Sequence, residues 1–325
     1  MTSGVSEPTG VAAGLKVVAL GGGHGLSATL AAMRRVVQEL TAVVTVADNG
    51  GSSGRLREEF GCLPPGDLRQ ALAALCGDED WGSTWARVLQ HRFESRGELD
   101  RHALGNLLIV ALWELLGDHV DGLDWVGRLL GAHGRVLPMA LVPLDIVATV
   151  EGADPLHPGR LSQVRGQVEV ATTPGSVSEV TLDPADPPAC PEAVKALGEA
   201  DWVVLGPGSW FTSVIPHLLM PELRRALESS PARRMVVLNL AAQAGETEGF
   251  SPEAHLEVLA DHAPDLRLDV VLADRSCVPD EGVLRRTAEQ LGARLELADV
   301  ALGDGTPRHD TSKLATAFSR LLQGT

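Results

Sequence analysis

The sequence predicts an α/β protein: a Rossmann-like, doubly wound, mainly parallel sheet with a helical insertion and a small antiparallel extension. Three observations lead there. Short apolar runs rich in branched residues recur at Lys16 to Leu20, Ala42 to Val46, Trp202 to Leu205, Met235 to Leu238 and Asp269 to Leu272. Such runs suit strands buried on both faces. Helically spaced segments lie between them at Ser27 to Leu40, Asp67 to Leu75, His217 to Leu227 and Pro252 to Leu259, and this alternation is that of a doubly wound sheet. Finally, glycine-rich turns stand where two of the strands end and helices begin, the position at which open α/β sheets hold ligands.

The remaining stretches fill in the organisation. Residues 1–15, MTSGVSEPTGVAAGL, read as a flexible tail, and 16–325 as a single domain. Residues 56–134 are helical in pattern throughout and form the insertion. Residues 136–182 turn to short runs, VLPMALVPL, DIVATVEG, GQVEVAT and SEVTLDP, divided by Gly and Pro turns, which suggests a small antiparallel sheet. The prolines of ADPPAC (185–190) connect back to the main sheet at Trp202.

Composition excludes several classes. A chain of 325 residues, 44% hydrophobic, is long enough for a sizeable core. Its net charge of -16 argues against duplex nucleic acid as a partner. Cys62, Cys76, Cys190 and Cys277 are far apart in sequence, so neither a zinc site nor a disulfide framework is suggested, and a cytoplasmic location fits. The tail lacks the pattern of a signal peptide. The longest apolar stretch, Ala103 to Leu116, is broken by Gly105, Asn106 and Glu114, so no membrane span is expected.

The strongest candidate site is KVVALGGGHGLSATLAAM: a strand, a turn with Gly21, Gly22, Gly23 and Gly25, then a helix. Glycines let the backbone approach a ligand, and the helix start offers unpaired N–H groups to a phosphate. A tight turn without a ligand would use the same glycines, and neither G-x-G-x-x-G nor the lysine-containing P-loop is fully matched. The second strand runs into ADNGGSSGRLREEFG. There Asp48 suits a ribose hydroxyl or Mg²⁺, while Asn49, Gly50, Gly51, Ser52, Ser53 and Gly54 suit an anion nest flanked by Arg55 and Arg57; a surface linker is the plainer reading. A third block, VVLGPGSWFTSVIPHLL, repeats the strand-turn-helix order with Gly206, Pro207, Gly208, Ser209, Thr212 and Ser213. The two glycine turns share one crevice if their strands are neighbours. Asn106, in a strongly apolar helix, needs polar partners and is a candidate ligand contact. Asp67 is first of all a helix cap, and Arg308, before the last helix, suits an anion pocket or plain solvation.

Together GGGHGLS, ADNGGSSGRLREEFG, LPPGDLRQAL, HALGNLL, LGPGSWFTSVIPHLL and RHDTSKL resemble the YvcK-like gluconeogenesis factors, within the broader CofD-like family, from Lys16 onward. The resemblance implies a nucleotide-binding core, with UDP-N-acetylglucosamine the ligand proposed for YvcK-like members and dinucleotides also accommodated; no other cofactor is implied. It implies a regulator of cell shape and envelope synthesis during growth on gluconeogenic carbon sources, acting through an unidentified protein partner; a homo-oligomer is compatible with it. The alternative from the CofD branch is a Mg²⁺-dependent 2-phospho-L-lactate (phospholactyl) transferase, with Asp48 and Asp67 as the metal's acidic ligands. Carried over by position, the family's phosphate turn falls on Gly21 to Gly25, its Asp/Asn-Gly-Gly-Ser-Ser-Gly loop on Asp48 to Gly54, its Gly-Pro-Gly-Ser turn on Gly206 to Ser209, and its arginine tied to UDP-sugar binding on Arg308. His24 departs from the smaller residue expected there. Trp210-Phe211 replaces a Leu-Tyr-like pair, and with no Tyr anywhere in the chain that phenol is lost.

Overall fold

The computed structural model describes residues 12–154, 156–157, 159–243 and 245–323. Most of the expected N-terminal tail, residues 1–11, lies outside them, but β1 (Ala12–Gly21) takes in residues 12–15, so the strand starts four residues earlier than the sequence suggested. Val17 to Leu20 of β1 are buried, as an apolar run between two neighbouring strands must be.

Helix α1 (Gly23–Met33) follows and is shorter than the Ser27 to Leu40 pattern. Its apolar spacing gives way to VQELTAVV, which forms β2 (Val37–Val44) and pairs continuously with β1 from Glu39 to Val44; sheet pairing overrides local helical spacing there. Five helices then span the expected insertion: α2 (Gly51–Phe60), α3 (Gly66–Leu75), α4 (Asp80–Gln90), α5 (Leu104–Leu116) and α6 (His119–Leu130). They form the crossover from β2 to β3 (Arg135–Pro138), which pairs parallel with β2. The start of the expected antiparallel extension therefore belongs to the main sheet.

The small sheet itself comprises β4 (Asp145–Glu151), β5 (Leu161–Arg165) and β6 (Ser176–Asp183), antiparallel in the order β5-β4-β6. GQVEVAT is not one of its strands but α7 (Gln167–Thr172). Gly166 enters this helix at φ 104, a glycine conformation, and the hydroxyls of Thr172 and Thr173 donate back to the carbonyls of Val168 and Glu169, tying off its end. Next come α8 (Pro191–Glu199), β7 (Trp202–Leu205), a short π-helical turn (Trp210–Val214), α9 (Ile215–Leu219), α10 (Pro221–Ser229) and β8 (Arg233–Val237). The single helix expected over His217 to Leu227 is two, because Pro221 holds Met220 extended. The chain ends with α11 (Pro252–His262), β9 (Val270–Asp274), α12 (Glu281–Gln290), β10 (Arg294–Ala298) and α13 (Thr311–Gln323). Of the two edge strands, β3 falls in the VLPMALVPL run expected in the small sheet, and β10 was not evident in the sequence.

The main sheet has seven parallel strands in the order β10-β9-β8-β7-β1-β2-β3. From β1 the chain winds outward through β2 to β3, then returns to β7 and winds the other way. With right-handed crossovers, opposite winding puts helices on both faces, the doubly wound arrangement expected. Among the described residues no helix is long and apolar enough to cross a membrane.

Candidate ligand-binding cleft

The direction of winding reverses between β1 and β7, which pair directly, Leu20 against Leu205. The connections leaving their carboxyl ends diverge, opening a crevice there, and both glycine turns sit at its mouth. Their glycines are required by space as well as by backbone angle. A Cβ on Gly25 would lie 2.2 Å from the carbonyl oxygen of Pro207 and 2.5 Å from Gly208 Cα. One on Gly22 would lie 2.4 Å from Thr45 Oγ1 and 2.6 Å from Asp67 Oδ2. Gly23, Gly206 and Gly208 have φ of 56, 72 and 148. The start of α1 thus lies against the Gly206–Ser209 turn, and its N-cap, Gly22, carries no side-chain cap; the Gly23 amide bonds Asp67, and the amides that follow it lie at the crevice.

A cavity of about 340 Å³ fills this mouth, lined by Gly22, Gly23, Gly25, Asp48, Asp67, Gly208, Ser209 and Ser213 among others. It meets a second space of about 520 Å³ that reaches Pro207, Asn239, Arg308 and His309, the two sharing His24 and Gln243. Arg308, from the far end of the chain, therefore borders the same crevice as Gly25; its guanidinium is held by Asp304 at 2.7 Å and by Thr306 at 3.0 Å. His309 is held neutral, its pKa lowered to about 4 by burial.

Electrostatically the cleft centres on Asp67. Burial, followed by the charge of Asp48, pushes its pKa up from 3.8 to about 7, against the lowering hydrogen bonds from Thr45 and the Gly23 amide. Asp48 is half-buried. Two carboxylates in this position can meet cationic or proton-donating ligands; among the described residues, no group of three or more His, Cys, Asp and Glu could hold a metal alone.

Other expected contacts are used by the protein itself. Gly50 to Gly54 do not form a loop nest: α2 begins at Gly51, with Gly50 as an N-cap lacking a side-chain bond. Gly54 packs on the Asn49 carbonyl, where a Cβ would sit 2.0 Å away. The Asn49 side chain fastens α7, donating to Glu169 at 2.6 Å and accepting from the Val168 amide at 3.0 Å. Arg55 turns to the carbonyls of Glu98 and Asp100. Asn106 is buried in a polar chain: it donates to Ser52 Oγ at 3.0 Å and accepts from Arg69 Nε at 2.8 Å, while Ser52 also meets His102 Nδ1 at 3.0 Å. These bonds join the start of α2 to the helical insertion. Ser53 is buried against Gly66. Ser209 and Thr212 bond to each other, and Ser209 donates to buried Glu246 at 2.5 Å; Ser209 and Ser213 both line the cleft.

Four cleft residues escaped the sequence. Asn239 clamps the second turn, accepting from Gly208 N–H at 2.9 Å and donating to Gly208 O at 2.8 Å, so that amide is not offered to a ligand. Gln167 and Gln243 line the cleft with side-chain oxygens that are buried without a partner. Thr45 donates to Asp67 at 3.3 Å. A position just past a strand's carboxyl end, which Asn239 and Thr45 occupy, was the available signal. The two glutamines had none, since Gln167 stands in a run that reads as a strand and Gln243 in an ordinary strand-to-helix connection.

The model of the family described as 2-phospho-L-lactate transferase CofD matches residues 17–302. A Mycobacterium tuberculosis protein provisionally named gluconeogenesis factor is 56% identical over 305 residues, 93% of this chain and 89% of its own. The gluconeogenesis factor of Listeria innocua is 34% identical over 318 residues, 94% and 95% of the two chains. A crystal structure of a UPF0052-family protein from Bacillus halodurans superposes with a TM-score of 0.83 at 33% identity, covering 93% of this chain and 98% of that one.

Proposed function

Because the chain belongs to the CofD family and resembles its gluconeogenesis factors throughout, we propose that its cleft binds a nucleotide-sugar, with UDP-N-acetylglucosamine the first candidate. It acts as a regulator rather than by turnover. The observation that carries this reading is the meeting of two glycine turns at the β1–β7 reversal, where Gly22 and Gly25 leave no room for a Cβ. An uncapped helix start beside such a turn is a phosphate site. The unpartnered oxygens of Gln167 and Gln243 suit hydroxyls of ribose and sugar, and Arg308 suits the diphosphate from the rim. In the cell the protein reports nucleotide-sugar supply to a partner in envelope synthesis, supporting cell shape during growth on gluconeogenic carbon sources, in the cytoplasm. Calorimetry with UDP-N-acetylglucosamine, NAD and GDP, with and without Mg²⁺, tests it: the first is expected to bind without product. Absence of binding by all three would refute it.

A second reading is favoured by the paired carboxylates: a Mg²⁺-dependent transferase of the CofD type. Asp48 and Asp67 fit Mg²⁺ as part of a site completed by phosphate oxygens and water, and the raised pKa of Asp67 marks a carboxyl whose burial and Asp48 neighbour outweigh the nearby Arg69 charge. Bound there, Mg²⁺ would supply neutralisation of phosphate charge. The chain's own part is to orient the diphosphate on the α1 amides and exclude water through Gln167 and α7. Product formed in the Mg²⁺ arm of the calorimetry, checked by chromatography, would favour this reading over the first.

A further inference from the structure

Beside the cleft lies a separate cavity of about 670 Å³, bounded by α1, α3, α4 and the start of α13. His24 and Gln70 border both spaces. The cavity's charged lining consists of Arg69 and Arg92, with no Asp or Glu, in a chain with 43 acidic and 27 basic residues. Its basic character therefore runs against the composition of the protein.

Arg69 is 3% exposed. Its Nε donates to Asn106, but its buried Nη1 has no acceptor. The side chain passes over Gly105, where a Cβ would lie 2.9 Å from both Arg69 Cγ and Cδ; the glycine makes the room the arginine occupies. Arg92 is exposed, and its Nη1 donates to the Arg101 carbonyl at 3.0 Å. Burial first, then the Arg92 charge, lowers the pKa of Arg69 to about 10, which leaves it ionised at neutral pH. The charges of Asp67 and Asp48 offset this only in part; a buried guanidinium with no carboxylate hydrogen-bonded to it and a second guanidinium nearby is costly in the empty protein and is the arrangement that an oxyanion relieves through charge-assisted hydrogen bonds.

The geometry points to an oxyanion subsite in which Arg69 and Arg92 bind the phosphate or carboxylate of a second small molecule, held beside the nucleotide across His24 and Gln70. The role beside a nucleotide rests on the reading of the cleft proposed above; the charge arrangement stands apart from it. The test is calorimetric titration of inorganic phosphate, and of acetate in parallel, at constant ionic strength, into the protein with and without saturating UDP. Wild type, Arg92→Gln and Arg69→Gln are compared. Phosphate or acetate is expected to bind saturably with UDP present and about tenfold or more weaker in each variant, as loss of a charge-assisted pair implies, while UDP affinity stays within about twofold. The stronger of the two anions identifies the group that the subsite takes. Arg92 is exposed, so Arg92→Gln keeps the fold and decides the matter should Arg69→Gln fail to fold. No saturable binding of either anion, or anion binding unchanged by Arg92→Gln, would overturn the subsite. Anion binding that depends on the arginines in a protein that binds no UDP would uphold the subsite and refute the nucleotide reading.

Discussion

Asp67→Asn isolates the electrostatic cost stored in the cleft. In the folded protein burial and Asp48 hold the Asp67 carboxyl at about 7 rather than 3.8. Below the lower value both folded and unfolded chains carry the proton and no cost arises. Between the two values the folded chain binds more protons than the unfolded one, so stability falls as pH rises, and above about 7 the loss is complete. At about 1.36 kcal/mol per pH unit the whole displacement is worth roughly 4 kcal/mol, of which about 2 kcal/mol falls between about pH 5.5 and 8. Asparagine keeps an oxygen for the Thr45 hydroxyl, bonded at 3.3 Å in the wild type, and does not ionise. Urea denaturation of both proteins at several pH values, subtracted pairwise, cancels the titrations of groups not coupled to Asp67. The stability of Asp67→Asn relative to wild type is expected to rise by about 2 kcal/mol from pH 5.5 to 8. A difference that is constant within about 0.5 kcal/mol across that range would refute the account of Asp67 as a desolvated, charge-coupled carboxyl.

Gly25→Ala places a methyl group 2.2 Å from the backbone oxygen of Pro207, an obstacle that no rotamer can clear. It is expected to cost about 1–3 kcal/mol of stability by overpacking and to weaken UDP-N-acetylglucosamine binding; an unchanged Tm with full affinity would show that the two turns do not need their close approach. Arg308→Ala is expected to leave stability nearly unchanged, since the side chain is exposed, while weakening nucleotide-sugar binding by about 1.5–3 kcal/mol, the worth of a hydrogen bond to a charged group. Equal affinity in calorimetry would remove Arg308 from the site.

The sheet and both glycine turns were legible because buried parallel strands and strand-to-helix junctions leave local marks: VVAL, WVVL and the glycines that follow them. That β1 and β7 are neighbours was not, since strand order is decided by contacts distant in sequence. Edge strand β3 is apolar and buried after Arg135, so its run was visible but not its place in the main sheet, whereas β10 is mostly half-buried and lacks the continuous apolar character of the centre. The helix expected over Ser27 to Leu40 failed at Val36 and Val37, where pairing with β1 outweighed spacing. Asn106 illustrates the limit for sites. A buried amide demands partners, but sequence does not say whether they are ligand or protein, and here they are Ser52 and Arg69. The glutamines at 167 and 243 are the converse: ordinary in sequence, and notable only because the fold leaves their oxygens facing the cleft unpaired.

The position of β1 in the middle of the sheet also bears on how the chain is made. Val17 emerges early in synthesis and pairs on one side with Val37-to-Val44 neighbours close behind it, but on the other side with Trp202 and its strand. At about 5–20 residues per second, on the order of 10–40 s pass before that second neighbour exists. During this interval the apolar edge of β1 is open, the state in which strands recruit the wrong partner. The glycine turn cannot acquire its opposite wall until β7 docks. A ligand that needs both walls can therefore bind only late in synthesis, once this edge has closed.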